Sequence, residues 1–165
     1  MKFKDLSQNT VASLFFSAMM VFIVAFNNGI PSYDELEEVT GTLEWFEAKG
    51  KNKDTLRFKL NEHGESFVYH SVAGSISAVQ SALNKESAKL KVLYDPNDSD
   101  SAIWEFRTFH PVYQIVSDNQ LVKSYRSTAA KYNTNVSLGY WLLIGGLIAS
   151  LFFLALDWEI SKNAN

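Results

Sequence analysis

The chain has 165 residues, a net charge of −3 and no cysteine, which excludes disulfides, thiolate zinc sites, iron–sulfur clusters and cysteine nucleophiles. Its ends hold three basic residues (Lys2, Lys4, Lys162) and three acidic ones (Asp5, Asp157, Glu159), so segment 31–136 carries the same −3. That segment lacks the basic footprint a nucleic-acid groove needs, and the length suits two membrane spans around one small domain.

Lys2 and Lys4 precede the apolar run VASLFFSAMMVFIVAF, which with Asn27 to Ile30 reaches about twenty residues. The reading is a transmembrane helix over 11–30 behind a short N-terminal segment, 1–10. A cleaved signal peptide shares the basic start, but Phe26-Asn27-Asn28-Gly29 offers no small-x-small cleavage site, which favours a retained anchor. The lysines before this helix, and Asp34, Glu35, Glu37 and Glu38 after it, place the N-terminus in the cytoplasm by the positive-inside rule. Lys123, Arg126 and Lys131 before the second span pull the other way, but a middle segment this long is largely exempt from that rule. The middle domain, 31–127, is thus expected outside the cytoplasm, periplasmic in a Gram-negative cell.

Within it the period of two dominates. Residues 41–46 read as a strand with Leu43 and Trp45 on one face, and KGKNKD as a polar turn. In 55–60, Leu56, Phe58 and Leu60 alternate with Thr55, Arg57 and Lys59, and 66–70 (SFVYH) is a third strand. In 75–84, Ile76, Val79 and Leu83 fall at helical spacing. Residues 89–94 return to strand, 102–106 are an edge strand or a loop carrying Trp104 inward, and 112–116 and 120–125 are strands turned at Asp118-Asn119. Polar residues 126–135 continue helically towards the second span, with 128–137 as connector. Three strands, a helix and further strands is the order of the five-stranded oligonucleotide/oligosaccharide-binding (OB) barrel. The expected fold class is therefore two transmembrane helices flanking a small, mostly-β, OB-like domain. A half-open barrel of other topology and an α+β sandwich satisfy the same order.

The second span, 138–156 (LGYWLLIGGLIASLFFLAL), has nineteen residues without a charge, and Asp157 begins the tail, 157–165, expected in the cytoplasm. As a helix it is roughly 28 Å long, close to the hydrocarbon thickness of a bilayer. Eleven of the nineteen are Leu, Ile or Phe, contributing about −5 kcal/mol to insertion. Tyr140, Trp141 and Trp158 bracket it as interfacial anchors.

The Gly41-Thr42-Leu43 strand after the first span, the Val92-Leu93-Tyr94-Asp95-Pro96 turn and the second span together form a pattern. It resembles that of uncharacterised bacterial two-span membrane proteins whose loop domain carries a V-x-Y-x-P turn. The chain departs from it where Asn97-Asp98-Ser99 replaces a second proline. The resemblance implies the architecture and carries no catalytic residue across.

Candidate chemistry is sparse. Asp95, Asn97, Asp98 and Asp100 crowd oxygen ligands, but Asp100 and Phe106 stand where an EF-hand loop has Gly and Glu, so a solvated Asp-Pro turn is the better reading. His63, His70 and His110 lack ligand spacing and read as surface or packing residues, and no Gly-x-Ser-x-Gly elbow is present. No cofactor or metal is expected. On a barrel, the outer face of the second and third strands is the ligand face, which nominates Arg57, Lys59, Val68 and His70. A plain solvated strand face is the competing reading. Trp45, Phe58, Phe67, Tyr69, Tyr94 and Trp104 alternate with aliphatics and read as core. Ser13 and Ser17, Gly145 and Ala149, and Gly146 and Ser150 pair small residues four apart, as helix contacts do, between the two spans or with a partner or second copy. The spans contain no Asp, Glu, Lys, Arg or His to carry a proton or ion.

The expectation is a non-enzymatic bacterial inner-membrane protein whose β domain binds a protein partner, as an accessory subunit of a membrane complex or a toxin-neutralising protein. The alternative is a tethered domain that binds a small envelope ligand, a glycan or peptide; an enzyme ranks third. A homo-oligomer is compatible with either.

Overall fold

The computed structural model describes residues 6–25, 29–101, 105 and 107–163. Lys2, Lys4, Phe26, Asn27, Asn28, Trp104 and the expected strand or loop at 102–106, save Glu105, lie outside them. The chain divides into two compact units, residues 1–29 with 133–165 and residues 30–132.

The first unit is built on α1 (Gln8–Ala25) and the later part of α3 (Tyr125–Asn163). Both helices are long and apolar enough to cross a membrane. Helix α3 starts well ahead of Leu138 and runs through Asp157, which therefore does not end it. In this unit the helices meet in antiparallel fashion. The Ser17 and Ser150 hydroxyls share a hydrogen bond of 3.1 Å, and Gly139 faces Val24. Nearer the α1 N-terminus, one Asp157 carboxylate oxygen accepts the Ser7 N–H at 2.8 Å and the Thr10 hydroxyl at 2.7 Å. A carboxylate there satisfies otherwise orphaned donors and complements the helix dipole.

The second unit is mostly β. It holds β1 (Glu37–Lys49), β2 (Thr55–Leu60), β3 (Ser66–His70), β4 (Lys89–Tyr94), β5 (Phe109–Ser117) and β6 (Gln120–Lys123), with α2 (Ile76–Leu83) between β3 and β4. Glu37 and Glu38 already belong to β1, and Tyr33–Glu35 ahead of them form a helical turn, where the Ser32 N–H donates to Glu35 Oε2. Asp118 and Asn119, both at positive φ (50° and 64°), make the two-residue hairpin turn between β5 and β6. Residues 124 and 125 leave the expected last strand because Tyr125 opens α3, where the buried Thr128 hydroxyl donates to the Tyr113 carbonyl.

The six strands lie in the order β3-β2-β1-β4-β5-β6 and pair antiparallel. In addition β3 pairs parallel with β5, matching Ser66 to Phe109, Phe67 to His110 and Val68 to Pro111. The ladders of β1 to β5 thereby return to their start. Leu56, Phe58, Leu60, Phe67, Tyr69, Leu90, Val92 and Ile115 fill the interior, and Val79 and Leu83 of α2 close it.

One irregularity sets the outer surface. Strand β1 pairs with β4 through residues 37–42 and with β2 from Leu43 on, and a bulge separates Leu43 (opposite Leu60) from Trp45 (opposite Lys59). The extra residue, Glu44, reverses the alternation. Leu43, Phe46 and Ala48 therefore pack on the core, and Trp45 turns outward. The expectation that Leu43 and Trp45 share a face, with Trp45 in the core, is thus corrected.

Candidate functional site

The ladders place residues on the outer face in rows. Trp45, Lys59, Ser66 and Phe109 form one row, and Glu47, Arg57, Val68 and Pro111 the next. Between β1, β2 and the start of β5 lies an open cleft of about 340 Å³ lined by Trp45, Glu47, Lys49, Arg57, Glu105, Arg107 and Phe109.

Arg57 is the structural hub of this cleft. Its two terminal nitrogens donate to the two Glu105 oxygens at 2.5 and 2.9 Å, and its guanidinium lies 4.4 Å from the Phe109 ring centroid. The bidentate fork and the ring fix its orientation. Arg57 is therefore a wall whose strongest donors are already taken. Lys59 pairs with Glu44 at 2.6 Å, and Lys49 with Glu47 at 2.7 Å. Arg107 differs: its guanidinium stands 5.2 Å from the centre of the Trp45 ring, and no carboxylate among the described residues pairs with it. Trp45 in turn meets Phe109 edge-on at 6.3 Å.

Of the four nominated binding residues, Arg57 lines the cleft and Lys59 borders it in the Trp45 row. Val68 sits opposite Arg57 on the outer side but is completely buried, so it offers a ligand no surface. This corrects its nomination: burial depends on what covers a face, which alternation does not reveal. His70 lies at the far end of β3, with Nε2 2.5 Å from Asp100 and Nδ1 3.4 Å from the Thr55 hydroxyl. It does not join the cleft. Sequence reasoning missed Glu47, Glu105, Arg107 and Phe109; the unexplained aromatic Phe109, just ahead of a strand expected from Val112, was the available signal.

The other histidines bond to backbone. His63 Nε2 lies 3.1 Å from the Thr40 carbonyl, and His110 Nδ1 lies 2.9 and 3.2 Å from the carbonyls of Asp98 and Asp95. Asp95 itself accepts the Asn97 N–H, closing the turn on itself. Among the described residues no cluster of His, Asp and Glu is arranged to hold a metal. Lys123 is buried, donates to the Ser127 hydroxyl at 3.0 Å, and has its pKa lowered by burial and then by Lys131. Tyr69 and Tyr113 are pushed up first by burial and then by Tyr132; Tyr94 rises to about 12 through burial and Glu37.

The small-residue pairs separate into two groups. A Cβ on Gly146 would lie 2.9 Å from Ser17 Oγ, and Ser17 bonds Ser150 at the same helix contact, whereas the bonds of Ser13 stay within α1. Gly145 has nothing within 4 Å of such an atom, and Ala149 is only half-buried, so the Gly145–Ala149 pair is not the closest approach of the helices. No protein-family model, curated protein or solved structure matches this chain.

Proposed function

We propose that the protein is a non-enzymatic component of a bacterial cytoplasmic membrane. Helices α1 and α3 cross the bilayer, the termini lie in the cytoplasm, and an OB-like β domain outside the cytoplasm binds a protein partner. It would act as an accessory subunit of a membrane complex or as a toxin-neutralising protein, akin to the two-span proteins with a V-x-Y-x-P turn. Support for the anchor comes from the apolar side chains the helices expose, among them Phe15, Phe22, Trp141, Ile148 and Leu151, a surface that water disfavours and lipid accepts. Support for the OB-like reading comes from the β1-β2-β3-β5-β4-β1 circuit with a helix between β3 and β4. The observation that carries the binding role is the Trp45–Arg107 cleft on the outer face of β1 and β2; β2 is one of the two strands whose face takes ligands in such folds.

The test is gentle purification of a tagged chain from native membranes, with identification of what accompanies it. A stoichiometric second protein is expected, and Trp45→Ala should release it. A chain that runs alone or only with itself overturns the reading. The cleft's volume also favours a second reading, a small envelope ligand, since it falls within the size range of small-molecule sites. A thermal shift of the full chain with envelope glycans and peptides tests that.

A further inference from the structure

We infer that the cleft recognises a single carboxylate next to an apolar side chain on an extended segment of a protein partner, with Arg107 as the receiving group. This rests on the partner-binding reading above. The argument starts from charge. The cleft is lined by three cations (Lys49, Arg57, Arg107) and two carboxylates (Glu47, Glu105), which leaves it one positive charge on a chain whose net charge is −3. Lys49 and Arg57 spend that charge on Glu47 and Glu105. The surplus is therefore localised on Arg107.

Arg107 is exposed, and its guanidinium lies over the Trp45 ring. Attraction to a ring face uses no N–H···O bond, so the contact leaves the guanidinium's donors to a ligand. A guanidinium drawn to an indole in this way is a fork placed for a carboxylate, which takes two parallel N–H···O bonds. One free cation matches one negative charge. A dianionic phosphate would instead meet Glu47 and Glu105 in the same cleft, so a carboxylate is the better anion. Beside Arg107, the partly exposed Trp45 ring, braced edge-on by the buried Phe109, supplies an apolar floor for the neighbouring side chain. The cleft is open and holds a few side chains, which suits a segment rather than a folded surface.

The experiment uses the full chain in lipid nanodiscs and the ¹⁵N signal of the Trp45 indole, assigned with Trp45→Phe. The probes are acetyl-Glu-Phe-amide, its neutral twin acetyl-Gln-Phe-amide, and glucuronic acid. The expected result is a saturable shift with the Glu peptide, at least about tenfold weaker binding of the Gln twin, and loss of the preference in Arg107→Gln. Equal binding of the two peptides, or an unchanged preference in Arg107→Gln, overturns the inference. Tighter binding of glucuronic acid than of the Glu peptide overturns the assignment to a protein segment. A copurifying partner that Trp45→Ala releases but Arg107→Gln does not would defeat this inference alone and leave the partner-binding reading standing.

Discussion

The helix pair and the β domain are built inside out with respect to one another. The helix pair buries Thr10, Ser17, Ser150 and Asp157 and exposes Phe15, Phe22, Trp141, Leu151 and Trp158. The β domain buries Phe58, Phe67, Tyr69, Leu90 and Ile115 and exposes most of its lysines and glutamates, Lys123 being a buried exception. The difference teaches what holds each part. In water, apolar burial is the dominant favourable term, and the domain is shaped by it. On the proposed membrane reading, apolar surface gains nothing by leaving lipid, so close approach at small residues and hydrogen bonds between hydroxyls must join the helices.

That contrast breaks most sharply in the domain core. Phe67 is fully buried against Phe58 and Tyr94, so Phe67→Ala should remove about 3–5 kcal/mol, read as loss of near-ultraviolet dichroism with the helical signal retained. Alkali should select the same part. Tyr69, Tyr94, Tyr113 and Tyr132 all have pKa values raised, first by burial. Above pH 10, their ordinary value, the unfolded chain releases protons that the folded domain retains, so stability falls as pH rises. Lys123 works in the opposite sense, its burial penalty easing towards 10.5, but it is one group against four. Denaturant melts across pH 8 to 12 should show the domain weakening past pH 10.

On the helix side, Gly146→Leu places its side chain against Ser17 and Phe16. The expected cost is about 1–3 kcal/mol, measured as separation of the helices in a denaturing-detergent titration, with the domain unaffected. The smallest effect tests the hydroxyl pair. A double-mutant cycle of Ser17→Ala with Ser150→Ala should give a coupling of about 0.6 kcal/mol, the average for such bonds in membrane helices. A coupling of zero would leave close packing at Gly146 and the Asp157 bonds to Ser7 and Thr10 to join the helices.

Much of this architecture was legible from local pattern. The bounds of β2 follow from strict alternation, those of β3 and β4 from short apolar runs between turn residues, and α2 from Ile76, Val79 and Leu83. The pairing of β3 with β5 was not, because it joins residues 66–68 to 109–111 across a helix and a strand, and no local pattern encodes such a partner. Sequence could nominate the Gly145 and Gly146 faces but not choose between them, since that choice depends on how one helix turns towards the other. The candidate site was half visible. Arg57 and Lys59 came from the alternation of β2, whereas Arg107 lies outside any strand and Trp45 was assigned to the wrong side of one.

The bulge at Glu44 lets β1 carry one residue more than its partners count. Upstream of it the strand counts in one phase for its pairing with β4, and downstream in the other for its pairing with β2. Exchanging one residue type for another at exposed Glu44 leaves that count intact. Flattening the bulge while keeping the residue would bring Trp45 into the interior and drive Phe46 out, whereas losing Glu44 would set Trp45 next to Leu43 on the opposite face, where it already points. Glu44 is thus a spacer: of the codons of this strand, its own is the one whose loss keeps both the cleft and the core in phase.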